Sequence, residues 1–344
     1  MVEFFRPEWA RRFPEKASKS LLLTAGLSGA MGLTDILLAT KAFREYGLVL
    51  FVVLPCFVGI GAPLLHGMGA PRSFLQCFGA AVLSMFAMFC GMLVFGIEGI
   101  GCMIMGAPIW IGIAAVGTCV AYPLHRALWK QHIQSRGFPI AGLLLMVVIP
   151  MLLGAERVAN WTTPVFTLTS AVEIDAPPEV VWRHLIAFPE MPRPRQWVFT
   201  LGIAYPVRAE MSGRGIGATR YCVFCTGKAE ERVTEWEENR RLEFDVVSTP
   251  PSMQEWSPYP HIQPAHLEGY MVSKRASFEL TALPNGRTRL VGTSWYENRM
   301  FPVAYWKWWS DRAVKAVHEA VFAHVKQLSE QAAGPGKGVI GVRK

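Results

Sequence analysis

The sequence predicts two structural classes in one chain, an N-terminal all-α transmembrane module followed by a C-terminal α+β domain. The first observation is a series of uncharged apolar stretches confined to residues 1–157. The second is a change to strand-like alternation after residue 163, and the third is a long amphipathic pattern near the C-terminus. In the α+β part we expect a curved antiparallel sheet around that last helix.

The composition excludes a disordered chain and is unusual for a soluble globular protein. Hydrophobic residues make up 51% of the 344 residues, and charged residues only 17%. Residues 1–157 contain 12 of the 34 Lys and Arg and 7 of the 26 Asp and Glu, so charge is concentrated in the second half. The net charge of +8 comes largely from sequence that flanks apolar stretches, as membrane orientation signals do. We therefore expect no nucleic-acid partner.

Four apolar stretches are each near or above the roughly 20 residues that cross a bilayer core. They predict helices at 48–66, 74–97, 101–124 and 138–155. A fifth candidate at 20–40 is interrupted by Asp35 and contains glycines, which lower helix propensity but suit close packing in lipid. The first domain is thus predicted to be residues 1–157, with four or five spans.

The side of the membrane on which the C-terminal domain lies depends on the fifth span. Lys and Arg cluster in the first 19 residues and in the loop after residue 124, which predicts that both segments are cytoplasmic. Five spans then place the C-terminal domain outside the cytoplasm, and four place it inside. We favour five, because five spans put most basic residues before Arg157 on the inner side.

The second predicted domain, residues 158–333, begins with a strict alternation at 165–174 that is typical of a half-buried strand. An Asp cap and two prolines then begin a short amphipathic helix at 175–188. The last helix is predicted at 302–331, and residues 334–344 form a flexible basic tail. Between the two helices lie strand-like runs at 197–205, 218–225, 232–236, 242–247, 276–283 and 288–296, with an Asn-Gly hairpin at 284–287.

Several motifs carry a resemblance to a known family. They are residues 176–182 (Ala-Pro-Pro-Glu-Val-Val-Trp), residues 286–290 (Gly-Arg-Thr-Arg-Leu), residues 292–296 (Gly-Thr-Ser-Trp-Tyr) and the long final helix. The domain resembles the START-like helix-grip superfamily, also called SRPBCC or polyketide-cyclase-like. The whole chain is similar to bacterial membrane proteins that join several spans to such a domain, on residues 202–206, 226–227, 264–270, 305–311 and, more loosely, 98–102.

The resemblance implies a multi-pass protein of the bacterial inner membrane, with the C-terminal domain periplasmic if there are five spans and cytoplasmic if there are four. It implies a fold more than a function. Members of this superfamily carry lipids, sterols and hormones, cyclise or hydrolyse substrates, and assist chaperones on one scaffold.

No motif predicts a metal or a nucleotide cofactor, and we expect neither. Five of the seven cysteines lie in apolar runs, while Cys222 and Cys225 fall on opposite faces of a predicted strand. Residues 212–218 imitate a dinucleotide-binding loop, but they lie between two strands and precede no helix. We interpret them as a hairpin turn.

The Pro-rich segment 250–270 is the most unusual stretch, and it predicts a loop that covers the opening between sheet and last helix. It contains Glu255, His261 and His266, which suit acid/base chemistry, although we favour a role in bonding the irregular backbone. For the aromatic residues near the last helix, core packing and a membrane-interface belt are the alternatives to cavity lining. Ligand contacts are predicted for Arg220, Glu231, Tyr259, Tyr270, Trp295, Tyr296, Tyr305 and Trp309.

Three functions are compatible with these features. The leading hypothesis is membrane-anchored binding of a hydrophobic small molecule, lipid or isoprenoid, because a tethered cavity meets membrane-dissolved ligands at high effective concentration. The second is a cofactor-independent enzyme, cyclase-like or hydrolase-like, that acts on such a ligand. The third is a structural or assembly subunit with a membrane-protein partner. The sequence leaves open whether catalysis occurs.

Overall fold

The computed structural model describes residues 13–130, 138–159, 161–260, 262 and 264–334, with the backbone alone described for 128–130 and 138–147. Contacts divide the chain into two units. The helical unit contains Met1–Thr162 and two later segments, Glu255–Ala265 and Met300–Tyr305. The sheet unit contains Thr163–Gln254, His266–Arg299 and Trp306–Lys344.

The described part of the helical unit contains α1 Ala17–Leu37, α2 Leu54–His66, α3 Phe74–Val94, α4 Ile100–Lys130 and α5 Phe138–Ala159. A short π-helical segment, Leu38–Phe43, follows α1, and a second one, Val49–Val53, precedes α2. Helix α3 begins with a reciprocal capping box. The Ser73 Oγ accepts the Gln76 N–H at 3.3 Å, and the Ser73 N–H donates to Gln76 Oε1 at 2.9 Å.

Among the residues that the structure describes, four helical segments are long and apolar enough to cross a membrane, namely Ala17–Phe43, Val49–His66, Phe74–Val94 and Ile100–Ala127. They coincide with the predicted spans at 20–40, 48–66, 74–97 and 101–124. The fifth predicted span, 138–155, lies in α5, whose side chains up to residue 147 fall outside the described ones. The number of spans, and with it the side of the C-terminal domain, therefore stays a prediction.

The described strands of the sheet unit form one antiparallel sheet in the order β1-β7-β6-β5-β4-β3-β2. They are β1 Val165–Ile174, β2 Pro206–Ser212, β3 Thr219–Phe224, β4 Gly227–Glu237, β5 Arg241–Ser248, β6 Met271–Leu283 and β7 Arg287–Asn298. Helix α6, Pro178–Ile186, follows β1, and the long helix α7 is Val303–Ala333. This arrangement confirms the predicted fold class of a curved antiparallel sheet with a long C-terminal helix.

The core of the sheet unit lies between the sheet and the helices α6 and α7. Buried side chains that meet there include Trp182, Leu185, Phe244, Phe278, Val321 and Phe322. Burying each of these large apolar side chains contributes about 1.5–3 kcal/mol. Gly292 of β7 permits the close approach of α7, since a Cβ atom there would lie 2.6 Å from the Phe322 ring.

The predicted strand at 197–205 is wrong. Trp197–Leu201 forms a 3-10 helix, which ends at Gly202 with a φ of 93°. The neighbours Val198 and Phe199 are both buried, whereas a strand would direct them to opposite faces. The strand of this region is β2, which begins only at Pro206 and was not predicted.

Both predicted hairpin turns are present. Asn285 and Gly286 adopt positive φ values of 65° and 71° between β6 and β7, as an Asn-Gly hairpin requires. Residues 212–218 join the paired strands β2 and β3, so this Gly-rich stretch is a turn and precedes no helix. Cys222 is buried on β3, but Cys225 is exposed in the turn after that strand, so the two cysteines do not share one strand as expected.

Candidate ligand cavity

A cavity of about 170 Å³ lies within the sheet unit, between the sheet and α7. Residues of β3 to β7, of α7 and of the segment 249–252 line it. Most of the lining side chains are apolar, and the ionisable groups among them include Arg220, Glu231 and His318. For comparison, an apolar cavity of about 150 Å³ in another protein holds one benzene molecule. A space of this volume accepts about one ring or one short branched chain.

Arg220 and Glu231 form a buried ion pair at this cavity. The two residues lie opposite each other on the paired strands β3 and β4, and the Arg220 Nη1 donates to Glu231 Oε2. The Arg220 Nε also donates to the Ile186 carbonyl at 3.1 Å. Only 2% of the Arg220 side chain and 9% of the Glu231 side chain are exposed. The pair thus supplies charge-balanced polar groups inside an apolar wall.

Aromatic rings and a thiol complete the surroundings of the pair. The Arg220 guanidinium lies 5.3 Å from the centre of the Phe244 ring and 5.9 Å from that of Phe278, within the range of cation–π attraction. Burial raises the pKa of the Glu231 carboxyl, and the adjacent Arg220 charge opposes that rise. Burial also raises the pKa of the Cys222 thiol to about 12, so this cysteine stays protonated and acts as a small apolar group.

His318 brings a second polar group to the wall, from α7. Its Nε2 lies 2.8 Å from the Ser294 Oγ of β7, and its Nδ1 lies 3.1 Å from the Ser170 Oγ of β1. The imidazole stacks on the Phe322 ring with centroids 5.6 Å apart. Burial lowers the pKa of His318 to about 4, so the imidazole is neutral at neutral pH.

Two of the predicted ligand-contact residues, Arg220 and Glu231, line this cavity. The first part of the Pro-rich segment, residues 250–252, lines it as well, whereas Glu255–Ala265 belongs to the helical unit. The segment predicted as one loop over the opening is therefore divided between the units.

Other predicted residues of the sheet unit do not line the described cavity. Tyr296 is fully buried, and its hydroxyl donates to Asp311 Oδ1. Trp309 packs in edge contact against Trp197, with centroids 6.0 Å apart. Trp295 lies on β7, which pairs with β1 on one side and β6 on the other. The Tyr270 carbonyl accepts the Arg299 N–H. His266 is buried in a short 3-10 helix.

The remaining predicted residues belong to the helical unit. The Tyr259 hydroxyl donates to the Val94 carbonyl at 2.5 Å, and the Tyr305 hydroxyl donates to the Met105 carbonyl. Glu255 also lies in this unit, and His261 lies outside the described residues. The catalytic role predicted for Glu255, His261 and His266 stays a prediction.

Glu255 has a structural role at the first turn of α4. Its Oε2 accepts the Cys102 N–H at 3.3 Å, and the Trp256 carbonyl accepts the Ile100 N–H at 2.8 Å. A carboxylate at a helix N-terminus is stabilised by the free N–H groups and by the helix dipole. Within the helical unit, ligand atoms of Glu255, Glu98 and Cys102 lie within 4.8 Å of one another. These side chains are of types that bind metal ions, but the hydrogen bond to the first turn of α4 already explains the position of the Glu255 carboxylate.

Sequence reasoning missed His318 and Ser294. A signal for the histidine was present, because residue 318 falls on the helical stripe formed by Val314, Val317 and Val321. No comparable signal exists for Ser294, since only the pairing of β7 with the other strands and the packing of α7 reveal its partner.

The comparisons with known proteins concern the C-terminal half of the chain. Residues 165–330 match the family described as "Polyketide cyclase / dehydrase and lipid transport". No curated protein matches the sequence.

Similar solved structures include the Zhui aromatase/cyclase from Streptomyces sp. R1128, with 13% identity, a TM-score of 0.32, and coverage of 50% of this chain and 100% of that one. The Aha1 dimer from Colwellia psychrerythraea has 16% identity and a TM-score of 0.28, covering 50% and 99%. Protein NE0264 from Nitrosomonas europaea has 16% identity and a TM-score of 0.30, covering 48% and 95%.

The sheet unit has a helix-grip fold, a curved antiparallel sheet with a long C-terminal helix, as the sequence motifs indicated. Residues 165–330, which match the family above, make up just under half of the chain. The same chain carries a helical module, and in its described part four helices are apolar enough to span a membrane.

Proposed function

We propose that the sheet unit binds an uncharged, largely apolar ligand that carries one hydrogen-bonding group. The observation that carries this proposal is the cavity itself, an apolar space whose wall contains a charge-balanced pair, Arg220 and Glu231. Ligand pockets of this kind combine an apolar lining with a few polar groups that fix orientation. The family description, which includes lipid transport, supports the same reading.

The balance of charge favours a neutral ligand over an anionic one. Glu231 already offsets Arg220, and Arg275, which also lines the cavity, is paired with Asp245. A ligand carboxylate or phosphate would therefore bring an uncompensated charge into the cavity. A hydroxyl or carbonyl group can exchange hydrogen bonds with the pair without that cost. A neutral isoprenoid, phenol or fatty alcohol meets this requirement.

The volume limits how much of such a ligand is enclosed. A space of about 170 Å³ holds one ring or one short branched segment, so a longer chain must extend through the opening of the cavity. A complete phospholipid is far too large for the enclosed space. We therefore expect a single-chain or single-ring ligand.

We further propose that the helical unit anchors this domain in a bacterial inner membrane through five spans, with the domain on the periplasmic side. The anchor would keep the cavity near ligands dissolved in the bilayer and raise their effective concentration. A C-terminal alkaline phosphatase fusion should be active and a C-terminal green fluorescent protein fusion dark. The opposite result would place the domain in the cytoplasm.

Photo-crosslinking of the full chain in detergent tests the binding proposal. A diazirine-bearing phenol should label peptides of β6 and α7 that line the cavity. Val317→Trp should abolish that labelling, because Val317 is half-buried in the cavity wall and an indole ring would fill the space. Lys315→Trp, on the exposed side of α7, should leave it intact. Labelling that is equal in both variants would overturn the proposal.

A further inference from the structure

Ser294, His318 and Ser170 form a continuous row of hydroxyl, imidazole and hydroxyl groups between β7, α7 and β1. The two distances, 2.8 Å from Ser294 Oγ to Nε2 and 3.1 Å from Nδ1 to Ser170 Oγ, are both within hydrogen-bond range. Ser294 and His318 line the cavity, whereas Ser170 does not. One hydroxyl of the row therefore meets whatever occupies the cavity, and the imidazole lies directly behind it.

We propose that Ser294 is a nucleophile activated by His318, so that the cavity cleaves ester ligands by transferring their acyl group to water. This inference rests on the proposed function, because the ester must first enter the cavity. A nucleophile within hydrogen-bond reach of a base, which is itself held by a third group, is the arrangement that activates serine in unrelated folds. Here Ser170 is the third group, and it is a positioning residue.

The proposal requires one tautomer of His318. In that tautomer the Nδ1–H donates to the Ser170 Oγ, and the lone pair of Nε2 faces the Ser294 O–H. The stack on Phe322 holds the ring plane, and burial keeps the imidazole neutral while making it a weaker base than a free imidazole. The general-base role therefore rests on the position of the imidazole beside the Ser294 hydroxyl and not on its basicity.

The reaction balances with water as the only co-reactant. The Ser294 Oγ attacks the ester carbonyl carbon while its proton passes to His318 Nε2. The carbon–oxygen bond to the alcohol breaks, and the alkoxide takes the proton from Nε2 as it leaves. Water then attacks the acyl-serine, gives its proton through Nε2 back to the Ser294 Oγ, and releases the carboxylic acid. Negative charge that develops on the carbonyl oxygen arises in a space that also contains the Arg220 guanidinium.

The alternative is that the row only ties α7 to the sheet. The two interpretations differ in the reactivity of Ser294, because a structural hydroxyl reacts no faster than any other serine. Matched controls are present in the same unit. Ser277 is a buried serine on β6, and His324 is a buried histidine on α7, and neither lines the described cavity.

The test uses the full chain in detergent with an alkyl fluorophosphonate, a probe that loses fluoride when an activated serine attacks phosphorus. We expect one adduct, located by peptide mass spectrometry on Ser294. Ser294→Ala should remove it and His318→Gln should slow it at least about 100-fold, the usual contribution of a general base. Ser170→Ala should slow it about tenfold, while Ser277→Ala and His324→Gln should have no effect.

Two results would overturn the inference, namely absence of an adduct on Ser294 or a labelling rate unchanged in His318→Gln. Near-UV circular dichroism of each variant shows whether the sheet unit is folded. The photoreactive phenol, applied to the same samples, separates the two proposals. Crosslinking in the cavity without fluorophosphonate labelling overturns the hydrolytic inference alone, and absence of crosslinking overturns the binding proposal as well.

Discussion

Removing one partner of the Arg220–Glu231 pair should destabilise the sheet unit strongly. With side-chain exposures of 2% and 9%, the pair is a buried one, so Glu231→Gln leaves a guanidinium in the interior without its counter-charge. Breaking such a pair costs about 3–5 kcal/mol. The rings of Phe244 and Phe278 retain their attraction for the cation and set the expected cost at the lower end, about 3 kcal/mol.

Thermal unfolding of the full chain in detergent, followed by near-UV circular dichroism, measures this cost. For a unit of this size, about 3 kcal/mol corresponds to a fall in Tm of about 10 °C. Replacing both partners by apolar groups, in Arg220→Met with Glu231→Leu, should restore most of the loss, because no unpaired charge then remains.

The exposed pair Arg214–Glu238 is the matched control. Its side chains are 69% and 48% exposed, and pairs of that kind contribute about 0–1 kcal/mol. Glu238→Gln should therefore leave the Tm almost unchanged. If Glu231→Gln has as small an effect as Glu238→Gln, or if the double variant is less stable than either single one, the assignment of a buried, mutually dependent pair is refuted.

Two further predictions concern the packing and protonation of α7. Gly292→Val should destabilise the sheet unit by about 1–3 kcal/mol, since its side chain would meet the Phe322 ring. The unfolding midpoint measures this cost, and an unchanged midpoint would contradict the close packing of α7 on β7. Because burial lowers the pKa of His318 from 6.5 to about 4, the unfolded chain binds the extra proton between these pH values. The free energy of unfolding should then fall by about 3 kcal/mol from this group as the pH drops from 6.5 to 4. His318→Gln should remove this part of the pH dependence. Unfolding measured at each pH tests both statements, and an unchanged pH dependence in His318→Gln would contradict them.

Strands and turns with strong local signals were predictable from the sequence. The alternation at 165–174 matches β1 residue for residue, and the Asn-Gly turn fixes the β6–β7 hairpin. The conformation of 197–205 was not predictable, because apolar residues in an irregular region mimic strand alternation. The structure shows that the neighbours Val198 and Phe199 are both buried.

Part of the candidate site was also predictable. The sequence predicts Arg220 and Glu231 as ligand contacts, and the register of β3 and β4 brings them together. The row through His318 was not predictable, since its side chains come from three elements, β1, β7 and α7, and meet only in the folded chain. The Pro-rich segment suggested a lid, but hydrogen bonds of its residues to α4 depend on tertiary structure that no local pattern encodes.

The proposed function requires that the cavity hold an apolar ligand supplied by the membrane. Native mass spectrometry of the full chain, purified in mild detergent, detects such a ligand when wild type and Val317→Trp are compared. We expect wild type to carry a neutral small molecule that Val317→Trp lacks and that Lys315→Trp retains. The same bound species in all three proteins, or an empty wild type that takes up no added fatty alcohol, would contradict the account.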